Sequence, residues 1–437
     1  MKKVATVILT ISMLFLVLVS CNNETYHEHD YSKTWTSDEK NHWHQCASCD
    51  SKIDVEAHKF PEKWTETNDE KYKECSVCKY KLVEDTITMT IDEFNKAENI
   101  PNWVNNVIIE NVDLTLNKTN KTIIGNKNIA DFYSYKNTSD VTDEEKKNVI
   151  GSNGDQSILT TNKKGYNVIL KGGSIKGLSV DNPNFDKQGE NGLHLYVPDN
   201  STVIFDGVTF QGTTLFISGQ WQQIAAEGHK PEVKYPHIID KIVLQNCKFD
   251  KSGLFQNGGF AKELVIEKCH FTEIENPEYW SNCNPIWFIN LGQEDHGWMV
   301  DQSTSNLTIN ECIFETSRPI KPVEQTVENS NIIITNNKFI MKQHELDANP
   351  EKNPNNDKRN DVIMFSTSNG NLGNILIENN TVSGDATAFL TFYNPPQITM
   401  KEGASFIVKG NKYPETIKDS VVWKTDNPIS PDFVQFL

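Results

Sequence analysis

Arginine is nearly missing from this 437-residue sequence: Arg318 and Arg359 are two of its 42 basic residues, and the rest are lysine. We read that bias as genome composition rather than mechanism. With 59 acidic residues the formal net charge is −17. A chain this acidic repels phosphate backbones, which argues against nucleic acid as a partner. It also argues against an acidic polysaccharide substrate unless a local basic or Ca²⁺ site offsets the repulsion, and no residue pattern indicates Ca²⁺. Apolar residues are few, at 37 %. Beyond Val19 no apolar run is long enough to span a bilayer. The Leu-x-x-Leu-x-Leu consensus of leucine-rich repeats does not occur, which removes that class of solenoid.

What the sequence does have is a nine-residue pattern in nine copies. They are Asn106–Leu114, Asn167–Ile175, Thr202–Phe210, Lys241–Phe249, Glu263–Phe271, Asn306–Phe314, Asn331–Phe339, Asn374–Val382 and Ser405–Tyr413. Columns two and four are apolar in every copy, as in Val107/Ile109 and Ile242/Leu244, and period two puts them on one face of a strand. Column six is Asn or Gly in seven of nine copies, the exceptions being Lys268 and Glu311. Asn and Gly accept positive φ most readily, so this column predicts a one-residue corner between two short strands. Column seven runs Cys247, Cys269, Cys312, Asn337, Asn380, Asn411, which predicts an internal ladder with the cysteines as buried thiols. Column three is apolar in eight of nine copies, an outward stripe suited to an exposed strand or to a cover of loops or a partner.

The corner advances by 22 residues from Asn246 to Lys268 and by 25 from Glu311 to Asn336, lengths that suit one turn of a parallel β-helix. Two advances of 43, Lys268 to Glu311 and Asn336 to Asn379, read as single turns with long loops, since each holds one further strand-like run. Those runs, Pro285–Asn290 and Val362–Ser366, together with Leu215–Ser218, Gly253–Gln256 and Ala388–Tyr393, predict a second wall. Thr90-Ile-Asp-Glu93 is a capping box ahead of a short helix.

Ahead of the repeats lies a different composition. Met1–Lys3 is basic and Val4–Val19 is apolar apart from Thr6, Thr10 and Ser12, ending in Leu18-Val19-Ser20-Cys21. This resembles a bacterial lipoprotein signal with its lipobox. The resemblance implies cleavage before Cys21, an acyl anchor on Cys21, and an extracytoplasmic place on the cell membrane or outer membrane.

From His27 to Tyr80 a second repeat has a period of 29: His29 aligns with His58, Trp35 with Trp64, and Cys46-x-x-Cys49 with Cys75-x-x-Cys78. A Cys-x-x-Cys turn suits tetrahedral Zn²⁺. Either each pair binds its own ion with His29, His58 and His44 as candidate partners, or the four cysteines share one; disulfides are the non-metal alternative. His42 and His44 become Lys71 and Lys73 in the second copy, so neither is required by the shared architecture. So small and polar a module needs such a staple. It resembles short His/Trp/Cys-x-x-Cys repeats of bacterial surface proteins.

From about residue 104 to 413 the chain resembles the pectate-lyase-like superfamily of right-handed parallel β-helices. The expected fold is therefore all-β: a right-handed parallel β-helix with a small zinc-knuckle-like module. Expected segments are 1–20 (signal), 21–82 (Cys/His module), 83–103 (linker and cap), 104–413 (β-helix) and 414–437 (C-terminal cap). The superfamily's enzymes carry acidic clusters or a basic residue on the outer wall. The nearest fragments here are Arg318-Pro319-Ile320-Lys321 and Asp295-His296-Gly297, neither a complete motif. The loops between Gly219 and Asp301 carry Trp221, Tyr235, His237, Tyr279, Trp280 and Trp298, which suit sugar stacking or protein anchoring. The expected function is a membrane-anchored scaffold binding glycan or protein. The alternative is a polysaccharide lyase or glycoside hydrolase using Glu294, Asp295 and His296.

Overall fold

A computed structural model describes residues 28–97, 100–115, 123–124, 157–160, 166–177, 192–196, 202–218, 237–257, 259–272, 289–290, 306–323, 330–342, 360–366, 370–393, 398–417, 421–423 and 433–437. The chain is almost all β and divides into two compact units, Met1–Glu84 and Asp85–Leu437.

The first unit holds two antiparallel three-stranded sheets. One is β1 (Thr36–Ser37), β2 (Asn41–Gln45) and β3 (Lys52–Ala57); the other is β4 (Thr65–Glu66), β5 (Lys71–Glu74) and β6 (Lys81–Glu84). They follow the 29-residue period. Each first turn is held by a side-chain oxygen at the same repeat position. Asp38 Oδ1 accepts the N–H groups of Lys40 and Asn41, both at 2.8 Å. Thr67 Oγ1 accepts those of Asp69 and Glu70, at 3.4 and 3.0 Å.

The second unit opens with β7 (Thr86–Met89) and the helix α1 (Ile91–Lys96). The capping box forms: Thr90 Oγ1 accepts the Glu93 N–H at 3.2 Å, and Glu93 Oε2 accepts the Thr90 N–H at 2.8 Å. All nine nonapeptides then join one parallel sheet, paired copy to copy. Column two runs Val107, Val168, Val203, Ile242, Leu264, Leu307, Ile332, Ile375, Phe406 without a slip. Copies 43 residues apart pair directly, as Leu264 does with Leu307 and Ile332 with Ile375. No further layer of this sheet therefore lies between those copies.

A second parallel sheet has ten strands, from Ile123–Ile124 to Val421–Trp423. It contains the runs expected in the second wall as Thr214–Ser218, Gly253–Asn257, Asp361–Ser366 and Ala388–Tyr393, and of Pro285–Asn290 the described pair Ile289–Asn290. From Asn167 onward, each nonapeptide copy is followed by one strand of the second sheet, and Gly370–Leu372 pairs with Ile398–Met400 in a separate two-stranded sheet. Val421–Trp423 and Val434–Phe436 extend the two sheets beyond the last nonapeptide.

The corner is at positive φ in all nine copies, between 53° and 68°, including Lys268 and Glu311 at 53°. A left-handed residue with a β-carbon costs roughly 1–2 kcal/mol, less for Asn. Lys268→Asn is therefore expected to stabilise the second unit by about 0.5–1 kcal/mol, measured as a rise in the denaturant midpoint at unchanged slope.

The corner also explains column seven. Bending the chain turns the column-four carbonyl away from the sheet, and a buried carbonyl needs a donor. Asn337, Asn380 and Asn411 supply it, each Nδ2 donating to the column-four carbonyl of the preceding copy (Ile309, Ile334, Ile377) at 2.8–2.9 Å. Their Oδ1 atoms accept the next N–H along the row: Cys312, Asn337 and Asn380, each at 2.9 Å. Cys247, Cys269 and Cys312 occupy the same place, their thiols donating to Phe205, Leu244 and Ile266 carbonyls at 3.3–3.5 Å. No disulfide joins the described cysteines. Hydrogen bonding to Cys269 and burial push the Cys247 thiol well above its ordinary value, and burial does the same to Cys269, so both stay protonated.

Column nine supplies an aromatic row: Phe210, Phe249, Phe271, Phe314 and Phe339 stack with centroids 4.5–5.0 Å apart. Column three is mostly half-buried; Ile333 is 37 % exposed and Val243 only 9 %. Arg318 and Lys321, the fragment nearest to a lyase motif, are 2 % and 3 % exposed. Both are buried rather than open to solvent.

Candidate metal centres

Both candidate centres lie in the first unit. In one, the ligand atoms of His42, His58, Cys75 and Cys78 all fall within 4.8 Å of one another. Cys75 sits at the start of a tight knuckle in which the Lys79 N–H returns to its carbonyl at 3.0 Å, with Lys79 at φ 66°. The Lys59 N–H points at Cys75 Sγ at 3.4 Å. Burial pushes the Cys75 thiol up. The N–H groups of Cys78, Val77 and Lys59 and the His58 ring together outweigh it and bring the thiol down to about 6, so a thiolate is in place at neutral pH. Burial is the largest influence on Cys78, and with the adjacent Cys75 it holds that thiol above its ordinary value. A cation is what resolves two adjacent sulphurs of this kind.

His58 is aimed by its far side. Its Nε2 donates to the Asp38 carbonyl at 2.8 Å, which leaves Nδ1 as the lone-pair nitrogen, 3.3 Å from Cys78 Sγ. An imidazole–thiolate separation of about 3.3–3.8 Å is the edge of a tetrahedron around an ion with Zn²⁺-like bond lengths. The ring also stacks on Tyr80 at 4.5 Å.

His42 is the residue that the repeat comparison discards and the structure restores. It is fully buried, and neither of its ring nitrogens makes a hydrogen bond. A buried imidazole without partners is costly, and a metal bond removes the cost. It reaches the second copy's centre from the first copy's β2. Register shifts between His42 and His44 against β3, so His42 and Trp43 are both buried although adjacent. Trp35 holds His42 edge-on at 4.5 Å and stacks on His44 at 3.9 Å. His44 is thus an aromatic partner of Trp35 and belongs to neither centre. In the second copy Lys71 and Lys73 lie over Trp64 at 5.7 and 5.2 Å. The Trp contact is kept there while the ligand chemistry is lost.

The other centre gathers His29, Cys46 and Cys49, again within 4.8 Å, with His29 Nδ1 3.4 Å from Cys49 Sγ. The six ligands expected from the sequence are therefore brought together as two separate sets, and the four cysteines do not share one ion. Disulfides are not formed at either pair. His42 was missed because its counterpart is Lys71. The available signal was reciprocal: a ligand donated forward to the next copy is not needed in the last one.

The other expected site residues lie elsewhere. Cys21, Trp221, Tyr235, Tyr279, Trp280, Glu294, Asp295, His296 and Trp298 are outside the described residues. His237 opens the strand His237–Gln245, and its side chain is outside the described ones. No helix among the described residues is long and apolar enough to cross a membrane. No family model, curated protein or solved structure matches the chain.

Proposed function

We propose that this chain is a lipid-anchored surface protein in which a zinc-stapled module precedes a right-handed parallel β-helix acting as a rigid scaffold for a glycan or protein partner. The anchor is Cys21, at the end of a lipobox-like Leu-Val-Ser-Cys. The observation that carries the scaffold reading is the unbroken register of nine copies, each followed along the chain by a strand of the second parallel sheet. A chain visiting two parallel walls in turn is what a coil does, and the resemblance to pectate-lyase-like proteins supplies the handedness. The repeat columns are occupied by corner, ladder and stacked-ring residues, so specificity falls to the residues that interrupt them.

Zinc is favoured over other metals by ligand chemistry. Two cysteine sulphurs and two imidazoles within 4.8 Å of one another suit a borderline-soft ion without redox demands, and oxygen-seeking Ca²⁺ is ill served by sulphur. When bound, the ion neutralises the two sulphurs and ties the two halves of the module together through His42. Metal analysis of the purified chain tests this: the expected content is two zinc per chain. His42→Ala is expected to weaken the second equivalent by at least about 100-fold, a larger loss than removing an outer hydrogen bond to a ligand, while His44→Ala leaves it unchanged. Screening on neutral and acidic glycans tests the scaffold. Binding without product release supports it, and turnover that vanishes in Asp295→Ala would transfer the reading to a lyase or hydrolase.

A further inference from the structure

The two metal centres are distinct sets of residues, yet one strand serves both. β2 carries His42 of the second centre and runs directly into Cys46 of the first. Four residues separate them, roughly 13 Å along a strand. The segment between them is held on both sides. β1 and β3 pair with β2, Cys46 bridges to Tyr31, and the Cys46 N–H donates to the Ser51 carbonyl at 2.9 Å.

The second centre draws on the first copy of the Cys/His repeat twice. It takes His42 from β2, and its own His58 is clamped by the turn ahead of β2. The His58 N–H donates to the Lys40 carbonyl at 3.3 Å, and His58 Nε2 donates to the Asp38 carbonyl at 2.8 Å. That turn is closed by a side chain, since Asp38 Oδ1 accepts the N–H groups of Lys40 and Asn41. The Asp38 carboxylate thus fixes the two carbonyls that aim His58. The matching turn of the second copy is closed by Thr67. The position 29 residues after His58 is Ile87, so the repeat supplies that turn with no histidine to aim.

We propose that the first copy is a preassembled half of the second centre, with Asp38 as its positioning residue, so that the two centres load zinc cooperatively. This rests on the metal reading above. A unit with so small a core takes its order from metal. Ordering the first copy around His29, Cys46 and Cys49 fixes β2 and the Asp38 turn. The second centre then binds without bearing that entropy again. Coupling of this kind is reciprocal, so each centre strengthens the other by the same factor.

Zinc affinities of the full-length chain, measured by competition with a chromophoric chelator, test this through a thermodynamic cycle. Cys49→Ala leaves the second centre to be read alone, and Cys78→Ala the first. The product of the unaltered chain's two stepwise association constants is expected to exceed the product of the two single-centre constants by at least about 5-fold. Asp38→Ala should lower the unaltered chain's product about 10-fold or more. Asp38→Asn, which keeps an oxygen acceptor, should restore it, and Thr67→Ala should leave it unchanged. In a chain carrying Cys78→Ala, adding Asp38→Ala should not alter the first centre's constant. Two zinc bound with equal products overturns the inference and leaves the metal reading standing. So does a loss shared by Thr67→Ala or by the first centre alone, which would make Asp38 a general stabiliser of its turn. Uptake of a single zinc also overturns it, and uptake of none overturns the metal reading with it.

Discussion

Cys75→Ala is expected to remove one metal equivalent and to unfold the first unit, with loss of the near-ultraviolet dichroism of Trp35, Trp43 and Trp64. The reason lies in how little else holds that unit. Among its described residues only Trp43, Cys46 and Cys75 are buried apolar side chains, joined by the buried but polar His42. One buried tryptophan contributes a few kcal/mol at about 25 cal/mol per Å², far less than the entropy of ordering some 50 residues. Structural zinc in small domains contributes roughly 10–16 kcal/mol of apparent binding energy at neutral pH. Its loss outweighs every other single change available in the unit. A strong chelator should reproduce the effect in the unaltered chain, and zinc should reverse it. Cys247→Ala, which removes a thiol from the ladder of the second unit, serves as the control and should keep both metals. A Cys75→Ala chain that retains two metal equivalents and its tryptophan dichroism would refute the staple.

Asn380→Ala is expected to cost the second unit about 2–6 kcal/mol, since a buried group left without a partner costs roughly 1–3 kcal/mol and at least two are exposed to that fate. They are the Ile334 carbonyl, which accepts from Asn380 Nδ2 at 2.8 Å, and the Asn337 N–H, which donates to Asn380 Oδ1 at 2.9 Å. Asn380→Cys should cost less. A thiol in this column can still donate to the column-four carbonyl, as Cys312 does to Ile266, but it offers no oxygen to the neighbouring N–H. Denaturant unfolding followed by far-ultraviolet dichroism gives the two values at constant slope. Equal costs for the alanine and cysteine variants would mean that the ladder's donors are not what stabilises the corner.

The corner and the ladder were legible in the sequence because they recur at fixed columns. Column six and column seven sit next to each other in every copy, so the residue types that meet each demand, positive φ and a donor for a carbonyl, repeat in register, although each donor serves the preceding copy 28 to 46 residues away. Even Lys268 and Glu311, which break the Asn/Gly rule, adopt the corner conformation because neighbouring copies impose it. The two advances of 43 were readable for the same reason, since each interval carried a single strand-like run. The aromatic and acidic loop residues were legible only as composition. No period places them, so the sequence could name them without bringing them together.

Sequence alone determined the all-β character, the in-register columns, the Cys/His pairing of each small repeat and the acidic surface. These follow from side-chain periodicity and residue chemistry, which act over short distances along the chain. Tertiary structure alone decided the ownership of His42. A register shift on β2 buries it beside its neighbour Trp43, and the two copies interlock so that one copy's imidazole faces the next copy's sulphurs. Contacts across 33 residues, from His42 to Cys75, obey no repeat rule, because the rule describes what the copies share and His42 is where they differ. The physical reason is desolvation: a buried imidazole is tolerated only where the fold supplies a partner, and only the folded chain shows which partner that is.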